Sequence, residues 1–282
     1  MPAKLATHSY GKSAVRLTKV KRLADRHELI ELEVAIELRG DFDASYLAGD
    51  NSKIIATDTM KNTVYALAAT HPIDSIEEFG VVLARHFVQN NAHVRSAQVE
   101  LAQTMWRRIP TDHGDHPHAF ASAASHRRTA RILDARDHAD VFAGIEGLTI
   151  LKTTDSAFTG YLKDKWTTLP ETTDRIFATR LTASWRYGEN RRTDYNTAPD
   201  RISAAMLHTF AHHKSLAVQQ TLYAMGEAAL DACPDVAEIE LEMPNQHRIP
   251  VNLQPLGLPN RNEIFVTTSE PYGLIKATVA RA

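Results

Sequence analysis

The segment from Ile30 to Arg39 constrains the architecture of this chain more than any other. Ile30, Leu32, Val34, Ile36 and Leu38 alternate with Glu31, Glu33, Ala35, Glu37 and Arg39. Successive side chains of a strand point to opposite faces, so this segment has one apolar face and one mostly charged face. A helix would scatter the same apolar residues around its whole surface. The pattern recurs. Val99, Leu101 and Met105 alternate with Gln98, Glu100 and Thr104, and Ile239, Leu241 and Met243 with Glu238, Glu240 and Glu242. One-sided strands of this kind predict antiparallel sheet covered on one face.

The covering layer is also visible. Ser75 and Glu78 form a capping box, and Ile76, Phe79, Leu83 and Phe87 follow at helical spacing, which predicts an amphipathic helix over 75–90. A second helical region begins near Pro199, a residue tolerated in a first turn. It continues through Met206, Phe210, Val218, Leu222, Met225 and Leu230, with Lys214-Ser215 as a candidate interruption and Pro234 as its end. Strands, helix, strands thus occur twice in order. The expectation is an α+β chain of two halves, 1–140 and 141–282, each a sheet with helices on one face and a seam near 137–145. No literal sequence repeat accompanies the duplication. Gly188–Pro199 and Asp112–His118 read as exposed loops.

Composition narrows the class. A net charge of −2 supplies no basic surplus for nucleic acid or anionic membrane. No apolar run is long enough to span a bilayer, and Met1–Tyr10 has no secretory core. Cys233 is the single cysteine, so an intramolecular disulfide and a thiolate zinc cage within one chain are excluded. A cytoplasmic setting is expected.

Polar chemistry concentrates in a few places. Ala56-Thr57-Asp58-Thr59-Met60-Lys61-Asn62-Thr63 packs hydroxyls, a carboxylate, an ammonium and an amide into one stretch. Thr57 and Asp58 suit turn and cap chemistry, or equally a relayed proton and a backbone amide for a ligand oxygen. Lys12, after Gly11, is a solvated strand-entrance lysine, or a base if burial or a nearby cation lowers its pKa. Phe158 is a core aromatic or a stacking face for a flat heterocycle. Arg175 is a surface ion-pair partner or a fork for a ligand anion. Gln219, beside Val218, lies on a solvated helix face or reads the edge of a purine-like ring. Asn245 and His247 follow the strand broken at Pro244, and a histidine there is either exposed or passes a proton near neutrality. His113, His116 and His118 are compact, yet Gly114 and Pro117 suggest a loop and match no defined zinc spacing. A metal-dependent heterocycle hydrolase built on that loop is one alternative reading.

These residues resemble the urate oxidase (uricase) family. The resemblance rests on Tyr10-Gly11-Lys12, the 56–63 stretch, His116-Pro117-His118, Gly147-Leu148-Thr149-Ile150-Leu151-Lys152, the Phe158 segment, Thr167-Thr168-Leu169, Val218-Gln219, Pro244-Asn245-Gln246-His247 and Gly273-Leu274-Ile275-Lys276. It implies tandem tunnelling-fold (T-fold) halves and a homotetramer with sites at subunit interfaces. It implies oxidation of urate by dioxygen and water to 5-hydroxyisourate and hydrogen peroxide, with neither metal nor organic cofactor. Lys12 and Thr57 then look like the proton-accepting dyad and His247 like its relay. Arg175, Gln219 and the Val218 backbone look like the clamp on urate, and Phe158 like its platform. Asn245 looks like the holder of dioxygen or water, and the Asp58 backbone like a further contact. The chain does not end in Ser-Lys-Leu, which favours a bacterial cytoplasmic enzyme over a peroxisomal one. Thr159 is smaller than its counterpart in some relatives. A non-catalytic purine-binding T-fold protein is the other alternative.

Overall fold

The computed structural model describes residues 3–188 and 193–281. Residue contacts divide the chain into two units, Met1–Gly144 with Thr193–Asn196, and Ile145–Arg192 with Thr197–Ala282.

In the first unit, β1 (Tyr10–Arg22) and β2 (His27–Gly40) pair antiparallel. The alternating segment is the body of β2, with Leu32, Val34, Ile36 and Leu38 buried. A short α1 (Asp43–Ala48) precedes α2 (Thr57–Thr70) and α3 (Ile76–Asn90). β3 (Val94–Thr111) and β4 (Gly114–Asp134) then complete the order β1-β2-β3-β4, antiparallel throughout. The buried face of β2 meets Val99, Leu101 and Ile132 and, from the helices, Met60, Val64, Phe79, Leu83 and Phe87.

The second unit repeats the plan. β5 (Ala139–Lys152) carries the chain into it and lies beside β6 (Phe177–Tyr187). α4 (Ala198–His212) and α5 (Val218–Ala232) follow, then β7 (Val236–Glu242) antiparallel to β6. β8 (Arg248–Pro250) and β9 (Phe265–Thr267) form a separate two-stranded ribbon. β10 (Lys276–Ala280) closes the order β5-β6-β7-β10. Leu181, Trp185, Ile239 and Leu241 of the sheet are buried, as are Ile202, Met206, Leu222 and Met225 of the helices.

Three expectations need correction. Thr57 and Asp58, read as turn and cap residues, are instead the first two residues of a helix that has no side-chain cap. Met60, Val64 and Ala68 recur every fourth residue and bury one side of α2, but this apolar stripe is narrow and its large residues are few. Asp112–His118 is the tip of a hairpin. Gly114, at φ 98, closes the turn between paired Thr111 and Gly114. Pro117 is tolerated because it lies in the stretch of β4 where the register shifts against β3. Finally, Ala198 and Pro199 are buried at the start of α4, so the 188–199 segment is not an exposed loop to its end. Its residues 189–192 lie outside those described.

Candidate active site

In the first unit Lys12 lies within electrostatic reach of Asp58. Gly11 makes the approach of β1 to β2 feasible, because a Cβ at that position would fall 1.8 Å from the Ile36 carbonyl oxygen. The β1–β2 register then shifts between Lys12 and Val15, where Ala14 holds a left-handed φ of 55°. A bulge of this kind redirects the side chains beside it, and the left-handed residue costs about 1–2 kcal/mol. Tyr10 accepts a hydrogen bond at its phenol oxygen from Ile55 N (2.8 Å), which ties β1 to the entrance of α2.

Thr57 is the first residue of α2 and Asp58 the second. The helix starts from Ala56 without a side-chain cap, so no side chain satisfies the first-turn amides. Asp58 suits the positive end of the helix. The hydrogen bond from Lys61 holds its carboxyl below the ordinary value, helped by the charges of Lys61 and Lys12. Asn62 donates to the other carboxyl oxygen at 3.0 Å. The carboxylate is thereby engaged, whereas among the described residues no side chain caps the backbone N–H groups of this first turn.

In the second unit, backbone hydrogen bonds join three separate segments. Arg175 N donates to Ser156 O (2.8 Å), Phe158 and Thr172 exchange a pair of bonds (2.8 and 3.1 Å), and Ala157 N donates to Ser215 O (2.8 Å). Ser215 immediately precedes the turn into α5, whose first residues are Val218 and Gln219. The Arg175 guanidinium lies over the Phe158 ring, 5.2 Å from its centroid. Its Nε is buried with no hydrogen-bond partner among the described residues, and burial pushes its pKa below the ordinary value. A half-buried guanidinium with an idle N–H is suited to a flat anion. Gln219 is exposed and its amide has no hydrogen-bond partner among the described residues.

Asn245 and His247 reach the same unit through β7. Pro244 ends the strand, and Asn245 bridges Thr179 on one side and Gly273 on the other. Gln246 N donates to Ala178 O (2.8 Å), and His247 O accepts from Thr268 N (3.1 Å). Both residues are half-buried.

The nine expected residues therefore fall into two groups: Lys12, Thr57 and Asp58 in the first unit, and Phe158, Arg175, Val218, Gln219, Asn245 and His247 in the second. Tyr161 was given no role by the sequence. Its ring stacks on Phe158 at 4.7 Å and 14°, with its hydroxyl donating to Leu169 O. An aromatic three residues after another, bounded by Gly160, was the available signal. Among the described residues, no group of three or more His, Cys, Asp or Glu side chains is arranged to hold a metal ion. His116 and His118 contact edge-to-face at 4.5 Å instead.

Comparison with known proteins agrees along the whole chain. The Uricase family model matches residues 8–133 and 141–276. A uricase of Arthrobacter globiformis is 44% identical over 277 residues, spanning 98% of this chain and 90% of the relative. A uricase of Dictyostelium discoideum is 36% identical over 284 residues, spanning 99% and 98%. The crystal structure of uricase from Arthrobacter globiformis matches with a TM-score of 0.94, covering 100% of this chain and 96% of that one. A mutant Bacillus sp. TB-90 urate oxidase, at 23% identity and a TM-score of 0.84, shares the fold. On the family match and the extent of the 44% identical relative, the chain belongs to the uricase family.

Proposed function

We propose that this chain oxidises urate with dioxygen and water to 5-hydroxyisourate and hydrogen peroxide, without metal or organic cofactor. The family supports the reaction. The observation within the chain that carries it is Arg175, half-buried, 5.2 Å from the centroid of the Phe158 ring and lacking a partner for Nε among the described residues.

The clamp works by complementarity. Arg175 offers parallel N–H donors to one edge of a urate anion, and Gln219 with the Val218 backbone reads another. Phe158 takes the ring face, itself backed by Tyr161. Lys12 and Thr57 accept a proton from the bound urate, and His247 passes it on. Loss of that proton makes the electron-rich ring a stronger reductant. Urate gives up two electrons and two protons overall, which convert dioxygen to hydrogen peroxide. Water adds its oxygen at C5 of the purine, and Asn245 holds the dioxygen or water over the ring. The protein's contribution is position, proton transfer and charge stabilisation.

The two residue groups become one site when copies of the chain assemble as a homotetramer, with Thr57 and Asp58 of one protomer facing Arg175 and Gln219 of another. The halves 1–140 and 141–282 are the two T-fold repeats of each protomer. A cytoplasmic setting is part of this reading, supported by a single cysteine, Cys233, that is free and buried.

The test is to mix chelator-treated protein with urate in air and to follow oxygen uptake, peroxide and loss of urate absorbance together. Stoichiometric oxygen loss and peroxide gain are expected. Urate that binds with no oxygen uptake would indicate a silent purine-binding protein. Activity lost to the chelator and restored by a metal would end the cofactor-free reading.

A further inference from the structure

Lys152 stands outside every role assigned above. It ends β5, and its ammonium donates to the carbonyl of His213, the residue that closes α4. The ammonium lies 5.7 Å from the centroid of the Phe210 ring. Partial burial pushes the Lys152 pKa below its ordinary value, against the opposing charge of Asp155.

The bonded carbonyl begins the 213–217 connector, which leads into α5. The His213 ring continues the anchorage, with Nδ1 3.1 Å from Oγ1 of Thr221 in the first turns of α5. Ser215, fully buried, donates from its N to Asp155 O (2.9 Å) and accepts at its O from Ala157 N. Each of these contacts fixes where Val218 and Gln219 emerge.

The first unit contains the same device. Lys19 of β1 donates to the carbonyls of Ala68 and His71 (2.6 Å each), and His71 closes α2. From His71 to Glu77 the interval is 77 − 71 = 6, and from His213 to Gln219 it is 219 − 213 = 6. Glu77 and Gln219 are each the second residue of their helix. Their fates differ. Glu77 is fully buried against Arg128, whose Nη2 lies 3.1 Å from Oε1, whereas Gln219 is exposed and open to a ligand. A lysine that grips the end of one helix therefore sets the first turn of the next in both units. Only the second unit turns that geometry outward.

We propose that Lys152 is a positioning residue for the substrate clamp: by holding the His213 carbonyl it fixes the 213–217 connector and so aims the Val218 backbone and the Gln219 amide at the ligand. The proposal rests on the reading of Val218 and Gln219 as clamp residues for urate. The test compares KM and kcat for urate-dependent oxygen uptake, and Tm, in wild type, Lys152→Met, Lys152→Arg, Lys152→Gln and Lys19→Met. Lys152→Met raises KM roughly tenfold or more while kcat stays within about threefold, because the donors shift but the proton-handling groups do not. Lys152→Arg, which retains a cationic donor, recovers most of the loss. Lys19→Met removes the matching grip from the first unit and leaves KM within about twofold, even where Tm falls as far. If Lys152→Met does not fold, Lys152→Gln and Lys152→Arg decide. A higher KM in the shorter, neutral variant supports the proposal, and an unchanged KM in both overturns it. Equal KM changes in Lys152→Met and Lys19→Met would also overturn it. A wild type that consumes no oxygen with urate overturns the parent reading as well, whereas an active wild type with flat KM across the variants overturns this inference alone.

Discussion

A guanidinium sunk into a protein gives up hydration whether or not it finds a new partner, and among the described residues Arg175 has none for its Nε. A group in that state adds little to stability, and the proposed clamp gives it a role in binding. Arg175→Ala should raise KM for urate about a hundredfold, in line with the roughly 1.5–3 kcal/mol of a charge-assisted hydrogen bond. The same variant should melt no lower than wild type, as calorimetry would check. Arg175→Lys should recover only part of the binding, because a point charge cannot supply the two parallel donors. Lys12→Met and Thr57→Ala should behave oppositely, with kcat down about a hundredfold and KM within a few-fold, as expected of proton transfer. Equal losses in both constants would remove them from the relay. The residues of the proposed site were named from the sequence. Their burial was not legible there. Arg175 reads as an ordinary surface arginine until Ser156, Phe158 and Thr172 are seen to fold around it, because those contacts depend on backbone pairing between segments far apart in sequence.

At the scale of elements, the signals that succeeded were strong local ones. The cap at Ser75 is present as half of the expected box: Glu78 N donates to Ser75 Oγ at 3.1 Å, the Glu78 carboxylate accepts from Ser75 Oγ rather than from the Ser75 backbone, and α3 begins at Ile76. Ser75→Ala should cost about 1 kcal/mol and lower Tm by roughly 2–4 °C. Urate kinetics should not change, since α3 carries none of the proposed site. The break near Lys214-Ser215 and the end before Pro234 were equally legible, because each interrupts a clear helical stripe. The start of α2 was not. Its inward stripe of Met60, Val64 and Ala68 is narrow, and Thr57, Asp58 and Asn62 favour turns as readily as first helical turns. The hairpin at Thr111–Gly114 was also hidden. Its strands run past the core into solvent-facing residues, where the alternation that marks β2 is absent.

At the scale of the whole chain, the order β-β-α-α-β-β occurs twice once the isolated α1 and the β8–β9 ribbon are set aside. Element order revealed that duplication where residue identity did not, since packing constrains apolar spacing more tightly than it constrains side-chain type. Both units also share a pH liability. Burial lowers the pKa of His86, His126 and His213, the last helped by the charge of Lys152. The unfolded chain then takes up protons near pH 6.5 before the folded one does, so stability is full above that pH and falls as pH drops below it. Melting curves from pH 8 down to about 5 should show this decline, and His126→Gln should make it shallower. The duplication also permits a test of assembly. If Lys12 and Thr57 of one protomer serve Arg175 and Gln219 of another, two variants that each lose about a hundredfold in kcat/KM should repair each other when assayed at urate well below KM. Thr57→Ala and Arg175→Ala chains, co-expressed in equal amounts and allowed to mix, would each contribute an intact partner group. One in four shared sites then receives both wild-type groups, so the mixture should regain about a quarter of wild-type activity. A site contained within one chain would regain nothing, because every copy would still carry one of the two lesions.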